Sequence, residues 1–295
     1  MFDGLLYSGT PLILASLGAL VSELGGSLAI FIEGFMVTGA FFSFLFAVKT
    51  HSLLLSAVLV FFSCGLAAWG IARLVRALRA DPFIAALAFN LFANGFTASL
   101  SQHIFGSKGT LRPDIALTLS PIDIPLLRKI PLIGNMLLPL NPLILWTLAA
   151  AALLFILLRH TKPGLRLLAS GANPEAVRER GLRPEWYREV AWAAAGAFAG
   201  LAGAALTFRL GVYAPGNSAG RGWIALAAVY LGGKTVPGVA AAALLFAAAE
   251  RIAFGAQALH PAAATALLGL PSFIALLFFS ICRHLPWRRG GGGIR

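Results

Sequence analysis

The chain has 295 residues, of which 59% are hydrophobic and only 12% are charged, and its mean hydropathy is +0.84. This composition excludes an ordinary soluble protein, because a soluble domain is roughly half apolar and a quarter charged. The net charge of +12 does not indicate a nucleic-acid-binding protein, because the basic residues adjoin apolar blocks and there usually orient membrane helices. Cys64 and Cys282 lie inside apolar blocks, which predicts neither a disulfide framework nor a metal site.

Long apolar runs predict about nine membrane-spanning helices. They cover 5–22, 28–48, 53–76, 83–105, 142–159, 189–208, 222–233, 236–254 and 263–283. Most approach the roughly 20 residues that cross a bilayer as a helix, and a helix satisfies its own backbone hydrogen bonds in lipid. The run 222–233 is too short to cross alone. We therefore predict an all-α fold, a polytopic transmembrane helical bundle of about eight to ten spans.

A Pro-rich, semi-polar stretch divides the predicted spans into two halves. We expect an N-terminal transmembrane half at 1–105, an external loop at 106–141 and a C-terminal transmembrane half at 142–284. The Gly-rich residues within 285–295 predict a flexible tail. The apolar N-terminus has neither a cationic region nor a cleavage site, so we expect no cleaved signal peptide.

Basic residues indicate which end of the bundle faces the cytoplasm. The loop 160–188 carries a dense set of Arg and Lys, and Arg73, Arg76 and Arg79 lie at or just after the end of the third predicted span. Placing both regions in the cytoplasm also places the C-terminal tail there. The N-terminus then lies outside.

Each half contains a short apolar piece bounded by glycines, at 25–34 and at 220–233. Paired interrupted helices indicate a substrate path, because broken backbone is tolerated at membrane depth only around a cavity or inside protein. Close helix packing at the glycines is the alternative. Glu33 could line or gate such a path or hold a helix break, or it could lie at the cytoplasmic edge and cap a helix. Trp223, in the second piece, is a further candidate for the path.

Two spans carry a patterned helix face. In 83–105, four polar residues recur at spacings that place them on one face, which predicts either interhelical hydrogen bonds or a pathway lining. They are Asn90, Asn94, Thr97 and Ser101. In 189–208, the glycines at 196, 200 and 203 predict a small-residue packing face.

The basic loop contains signals for a short helix at about 174–180. Asn173 is a good N-cap, Pro174 suits the first helical position, Glu175 complements the helix dipole and Gly181 suits a left-handed stop. So short a helix is marginal in water. Either a partner docks on it, or it is a plain connecting helix on the membrane surface.

Motifs along most of the chain resemble one known family. The N-terminal half contains Thr10-Pro11-Leu12, Ser22-Glu23, Ile30, Glu33-Gly34 and Gly39-Ala40-Phe41. The segments 171–181, 196–205 and 219–228 add later matches. In order and spacing these resemble the ABC transporter permeases of the branched-chain amino acid, ribose and nucleoside (simple sugar) type, and most closely the nucleoside permeases.

The resemblance implies an importer subunit in the bacterial cytoplasmic (inner) membrane. It implies a second permease subunit, identical or homologous, two ABC ATPase subunits and an extracytoplasmic solute-binding protein. The short helix would be the coupling helix that docks on the ATPase. The implied coupling residues are Gly171, Asn173, Pro174, Glu175, Ala176, Arg178 and Gly181.

The implied cargo is a small polar solute such as a nucleoside, a simple sugar or riboflavin, with a branched-chain amino acid as the alternative. Ala29 and Phe31 depart from the family pattern in the first broken piece, where Ala29 replaces the usual Asn. These departures leave the solute open and also favour a heterodimer of permeases.

Other functions find less support in the sequence. The segment 228–235 imitates the end of a P-loop but lacks its first glycine and its strand context, so we expect no ATPase site, no bound cofactor and ATP hydrolysis by a partner chain. The five histidines have no metal-ligand spacing. An ion-driven secondary transporter would need several acidic residues deep in the spans, and Glu33 is the one candidate that we identify.

Overall fold

A computed structural model describes residues 2–113, 117–118 and 141–259 of the chain. These residues form ten helices and a single isolated β-bridge, between Leu111 and Tyr213. The helices are α1 (Phe2–Leu24), α2 (Ile32–Thr50), α3 (Leu53–Ala77), α4 (Pro82–Phe105), α5 (Pro142–His160), α6 (Lys162–Ala172), α7 (Pro174–Glu179), α8 (Pro184–Leu210), α9 (Arg221–Leu231) and α10 (Val236–Leu259). The predicted all-α transmembrane bundle is confirmed.

Seven of the described helices are long and apolar enough to cross a membrane. Each overlaps one predicted span, and the short run predicted at 222–233 is the 11-residue helix α9. Helix α8 begins five residues before the predicted 189, because Pro184 and Glu185 favour the first turn of a helix. The predicted span at 263–283, the tail and most of the 106–141 loop lie outside the described residues.

Helix α8 packs against α1, α2 and α3 at the centre of the bundle. Its small residues permit this contact, because a methyl group added to Gly203 would overlap the Met36 carbonyl, and one on Gly196 would overlap Ala68. Gly200 likewise faces Cys64. In lipid, helix association depends on such close packing, so the predicted small-residue face is confirmed.

Most arginines of the described loops gather at one end of the bundle, which we call the basic end. Arg73 and Arg76 at the end of α3 pair with Glu189 near the start of α8. Gly171 of α6 meets the Leu24 carbonyl at the end of α1. The basic end also contains Arg79, Lys162, Arg166, Arg178, Arg180, Arg183 and Arg188. The positive-inside rule predicts that this end faces the cytoplasm.

Candidate functional site

The two interrupted pieces meet each other inside the bundle. Helix α1 ends at Leu24 and α2 begins at Ile32, while α9 is preceded by the non-helical residues 211–220. Glu33, in the first turn of α2, reaches across to the start of α9. Its carboxylate accepts hydrogen bonds from Ser218 Oγ at 2.6 Å, from Gly220 N at 3.0 Å and from Gly222 N at 2.7 Å.

This Glu33 junction satisfies backbone groups that a helix cannot satisfy itself. The first N–H groups of a helix have no intrahelical partner, and a carboxylate there also complements the positive end of the helix dipole. Gly222 is required at the junction, because a methyl group there would lie 2.6 Å from the Glu33 nitrogen. Gly220 has a φ of +79°, a left-handed conformation that favours glycine. Of the roles considered for Glu33, the geometry is that of holding a helix break.

Asn90 of α4 performs the corresponding task at the first broken piece. Its Oδ1 accepts from Gly34 N and its Nδ2 donates to the Ile30 carbonyl, each at 2.8 Å. The side chain is buried, and both contacted groups lie where α2 begins. Asn90 therefore ties α4 to the break across 56 and 60 residues of sequence.

The other three polar residues of α4 bond locally. Thr97 and Ser101 are buried, and their hydroxyls donate to the carbonyls of Ala93 at 2.8 Å and Ser107 at 2.7 Å. Asn94 is exposed in the single chain and its Nδ2 donates to the Asn90 carbonyl at 3.0 Å. Of the four residues in the predicted stripe, only Asn90 forms hydrogen bonds to the first broken piece. Their role in a pathway stays a prediction.

Trp223, the remaining path candidate, lies on the outside of the single chain. Its side chain is 47% exposed, although Trp223 lies in the first turn of α9, the helix whose start Glu33 caps. Its side chain therefore takes no part in the hydrogen bonds of the Glu33 junction, although the preceding residue, Gly222, does. Its role in the path stays a prediction.

An ion pair near the Glu33 junction, in which Arg221 is buried and Glu250 is partly exposed, was missed by the sequence analysis. The Arg221 guanidinium pairs with Glu250 of α10 and also donates to the Asn217 carbonyl at 2.8 Å. Glu250 lies 14 residues into α10, about 21 Å along the helix. The sequence analysis singled out Glu33 alone and did not consider Glu250, which lies four residues before the end of the predicted span 236–254. The signal in the sequence that could have predicted this pair is the presence of opposite charges in neighbouring apolar runs.

We expect Arg221→Met to lower the free energy of unfolding by about 1–3 kcal/mol, because it leaves the partly buried Glu250 carboxylate without its partner. The double variant Arg221→Met/Glu250→Gln should recover most of this loss, as measured by thermal unfolding in detergent. The exposed pair Arg178–Glu185 provides a matched control, where Arg178→Met should cost less than about 1 kcal/mol. If the double variant instead lost the sum of the stabilities lost by Arg221→Met and Glu250→Gln alone, the pairing would be contradicted.

The predicted short helix of the basic loop is present as α7, which spans six residues. The Asn173 side chain accepts from Ala176 N at 3.2 Å, Pro174 is the first helical residue, and Gly181 has a φ of +73°. The predicted caps are therefore confirmed, and the helix ends one residue earlier than predicted. Glu175, Ala176 and Arg178 are exposed.

A second helix of this loop, α6, was not predicted. Thr161 caps it by accepting from Gly164 N at 3.2 Å, and Pro163 follows in the first turn, a signal that the sequence analysis did not use.

Helix α6 lies directly against the first broken piece. Gly171 meets the backbone of Leu24 and Gly26, where a methyl group would lie 2.8 Å from Gly26 N. The same piece is held from α8, because Trp192 Nε1 donates to Ser27 Oγ at 2.8 Å. Movement of α6 would therefore press on the segment that connects α1 to α2.

A polytopic bundle with two broken helices joined in its interior, and a capped helix pair at its basic end, defines a membrane transport subunit. Residues 1–276 match the family model for the branched-chain amino acid transport system / permease component. The chain belongs to this family and is an ABC transporter permease.

Three curated relatives are similar over most of their length. The nucleoside ABC transporter permease protein NupC of Lactococcus lactis is 31% identical, over 82% of this chain and 78% of its own. The guanosine ABC transporter permease protein NupQ of Bacillus subtilis is 30% identical, over 84% and 79%. A putative glucose ABC transporter permease protein of Haloferax volcanii is 29% identical, over 78% and 69%. No solved structure matches the chain.

Proposed function

We propose that this permease subunit forms the translocation path for a nucleoside, with a simple sugar as the second candidate. The observation that supports this most directly is the similarity to two relatives named for nucleoside or guanosine transport. The glucose permease relative favours the second candidate. A nucleoside and a simple sugar both carry a polyhydroxylated ring, so one polar path could admit either.

The path would run beside the Glu33 junction. Two helices that end and begin inside the bundle expose backbone polar groups there, and such groups are tolerated only around a cavity or within protein. The polar face of α4 would contribute Asn94, which is exposed in the single chain. A second permease subunit would then cover this face, because an amide in contact with lipid is costly.

Energy would come from a separate ABC ATPase that docks on α7. This helix exposes Glu175, Ala176 and Arg178 while Val177 anchors it to the bundle. ATP binding and hydrolysis by the partner would displace α7 and α6, and Gly171 would transmit the displacement to the first broken piece. We propose a bacterial cytoplasmic membrane as the location and an extracytoplasmic binding protein as the source of solute.

Reconstitution tests this function. The chain, expressed with a candidate ABC ATPase and a candidate solute-binding protein from the same genome, should co-purify with the ATPase in mild detergent. In proteoliposomes the complex should take up labelled guanosine when ATP is supplied, and unlabelled nucleosides should compete better than glucose. Failure of any ATPase to associate, or uptake driven by a proton gradient without ATP, would overturn the proposal.

A further inference from the structure

A cavity at the basic end lies outside the Glu33 junction and the α7 docking surface. It encloses about 340 Å³, within the range of roughly 300–1,000 Å³ for small-molecule sites. The end of α3, the start of α4, the start of α8 and the first broken piece form its walls. Its charged lining consists of Arg76, Arg79, Arg188, Glu185 and Glu189.

The carboxylates of this basic cavity are already paired. Glu189 lies within ion-pair distance of Arg73 and Arg76 on α3, although neither of its oxygens has a hydrogen bond of good geometry among the described residues, and Glu185 is held by Arg178. Within the described part of the chain, neither Arg79 nor Arg188 forms a salt bridge. The basic cavity therefore retains an excess of positive charge that its own acidic residues do not neutralise.

Arg188 gives a second indication of a missing anion. Its Nε is buried and has no hydrogen-bond partner among the described residues. A buried guanidinium N–H without an acceptor is costly, and guanidinium groups bind phosphate oxygens well because of their fork geometry. We propose that the basic cavity binds a phosphate group between Arg79 and Arg188.

The surroundings favour a phosphate carried by an anionic lipid over a free one. Exposed apolar side chains flank the cavity, among them Leu78 at 68% exposure and Phe83 at 53%, and these would contact acyl chains. Trp186 is 51% exposed and Arg73 lies 4.6 Å from the centre of the Trp69 ring, as expected of tryptophans at headgroup level. Basic pockets between helices on the cytoplasmic side are known to bind anionic headgroups.

An occupant would also contact the transport machinery. Gly26 and Ser27 of the first broken piece and Trp192, which bonds to Ser27, line the same cavity. A phosphate bound in the basic cavity would therefore stabilise the first broken piece. This inference does not depend on the identity of the solute or on ATPase docking.

Lipid retention by the full chain tests the site. Native mass spectrometry in mild detergent should show one phosphatidylglycerol retained in preference to phosphatidylcholine. Arg79→Gln or Arg188→Gln should each weaken phosphatidylglycerol binding about fivefold, the effect of one basic residue near an anionic headgroup. Arg183→Gln, an exposed arginine of the same end outside the cavity lining, should leave binding unchanged, and Arg79→Lys should retain most of it.

A parallel arm identifies the source of the phosphate. Inorganic phosphate that displaces phosphatidylglycerol and raises the melting temperature in the same way would identify a soluble phosphate anion, and this also supports the site. Equal retention of the two lipids without any effect of phosphate would overturn the proposal. Equal weakening by Arg183→Gln and Arg188→Gln would also overturn it, because the binding would then be diffuse surface attraction. Thermal melting in lipid-free detergent micelles confirms that each variant is folded.

Discussion

Glu33→Ala should reduce ATP-driven solute uptake by the reconstituted importer at least about 100-fold, a barrier increase of roughly 2.7 kcal/mol. The variant removes hydrogen bonds from Ser218, Gly220 and Gly222 to one carboxylate. Hydrogen bonds to charged groups contribute about 1.5–3 kcal/mol each, and the two backbone N–H groups would remain in the interior without an acceptor. Uptake of labelled nucleoside into proteoliposomes is the measurement.

Two further variants test whether uptake falls because the hydrogen bonds of the Glu33 junction are lost or because a negative charge is removed. Glu33→Gln retains the size and one acceptor oxygen, so its uptake should fall between that of the wild type and that of Glu33→Ala. Glu23 also sits near α9, where it accepts from Tyr230 and from the exposed Lys234. Glu23→Gln should raise the barrier to uptake by less than about 1 kcal/mol, since its partner Lys234 is exposed and can be solvated without it. Wild-type uptake by a folded Glu33→Ala variant would refute the role of the junction.

Gly171→Val should uncouple ATP hydrolysis from transport while leaving the ATPase bound. Any side chain at Gly171 meets the carbonyl of Leu24 and the nitrogen of Gly26. Placing the valine side chain in this contact should lower the folding stability by about 1–3 kcal/mol and displace α6 from the first broken piece. We expect solute-stimulated ATPase activity to fall about tenfold or more, with co-purification of the ATPase unchanged.

Gly181→Ala is the matched control for Gly171→Val. Gly181 lies in the same loop, but a methyl group there meets no atom within 4 Å. Its φ of +73° makes alanine cost about 1–2 kcal/mol of local strain, without displacing α6. Stimulated ATPase activity should therefore survive Gly181→Ala. Equal uncoupling by both variants would indicate that the loop matters only for its own folding.

Both predictions concern contacts between distant parts of one chain. Glu33 and Gly222 are 189 residues apart in sequence, and Gly171 meets a segment near residue 25. A signal from α7 would reach the Glu33 junction through α6 and the first broken piece, because each element touches the next. The Asn90 contacts to Ile30 and Gly34 tie α4 to the same route, so displacement of the break would also move the polar face of α4.

The membrane class, the seven long apolar helices of the described residues and the caps of α7 could be predicted from the sequence. Apolar length determines whether a segment spans a bilayer, and the cap residues act on neighbouring backbone groups, so both depend on local chemistry. The glycines that bound the two interrupted pieces indicated the breaks for the same reason. The family followed from motifs whose order survives along most of the chain.

Only the tertiary structure decided what the charged and polar residues do. The sequence left Glu33 open between a path, a helix break and an edge position, and the fold brings it to the N–H groups of Gly220 and Gly222. It also pairs Arg221 with Glu250 and separates Asn90 from the rest of its stripe. A hydrogen bond between residues about 190 apart depends on how helices pack, and no spacing in the sequence encodes that.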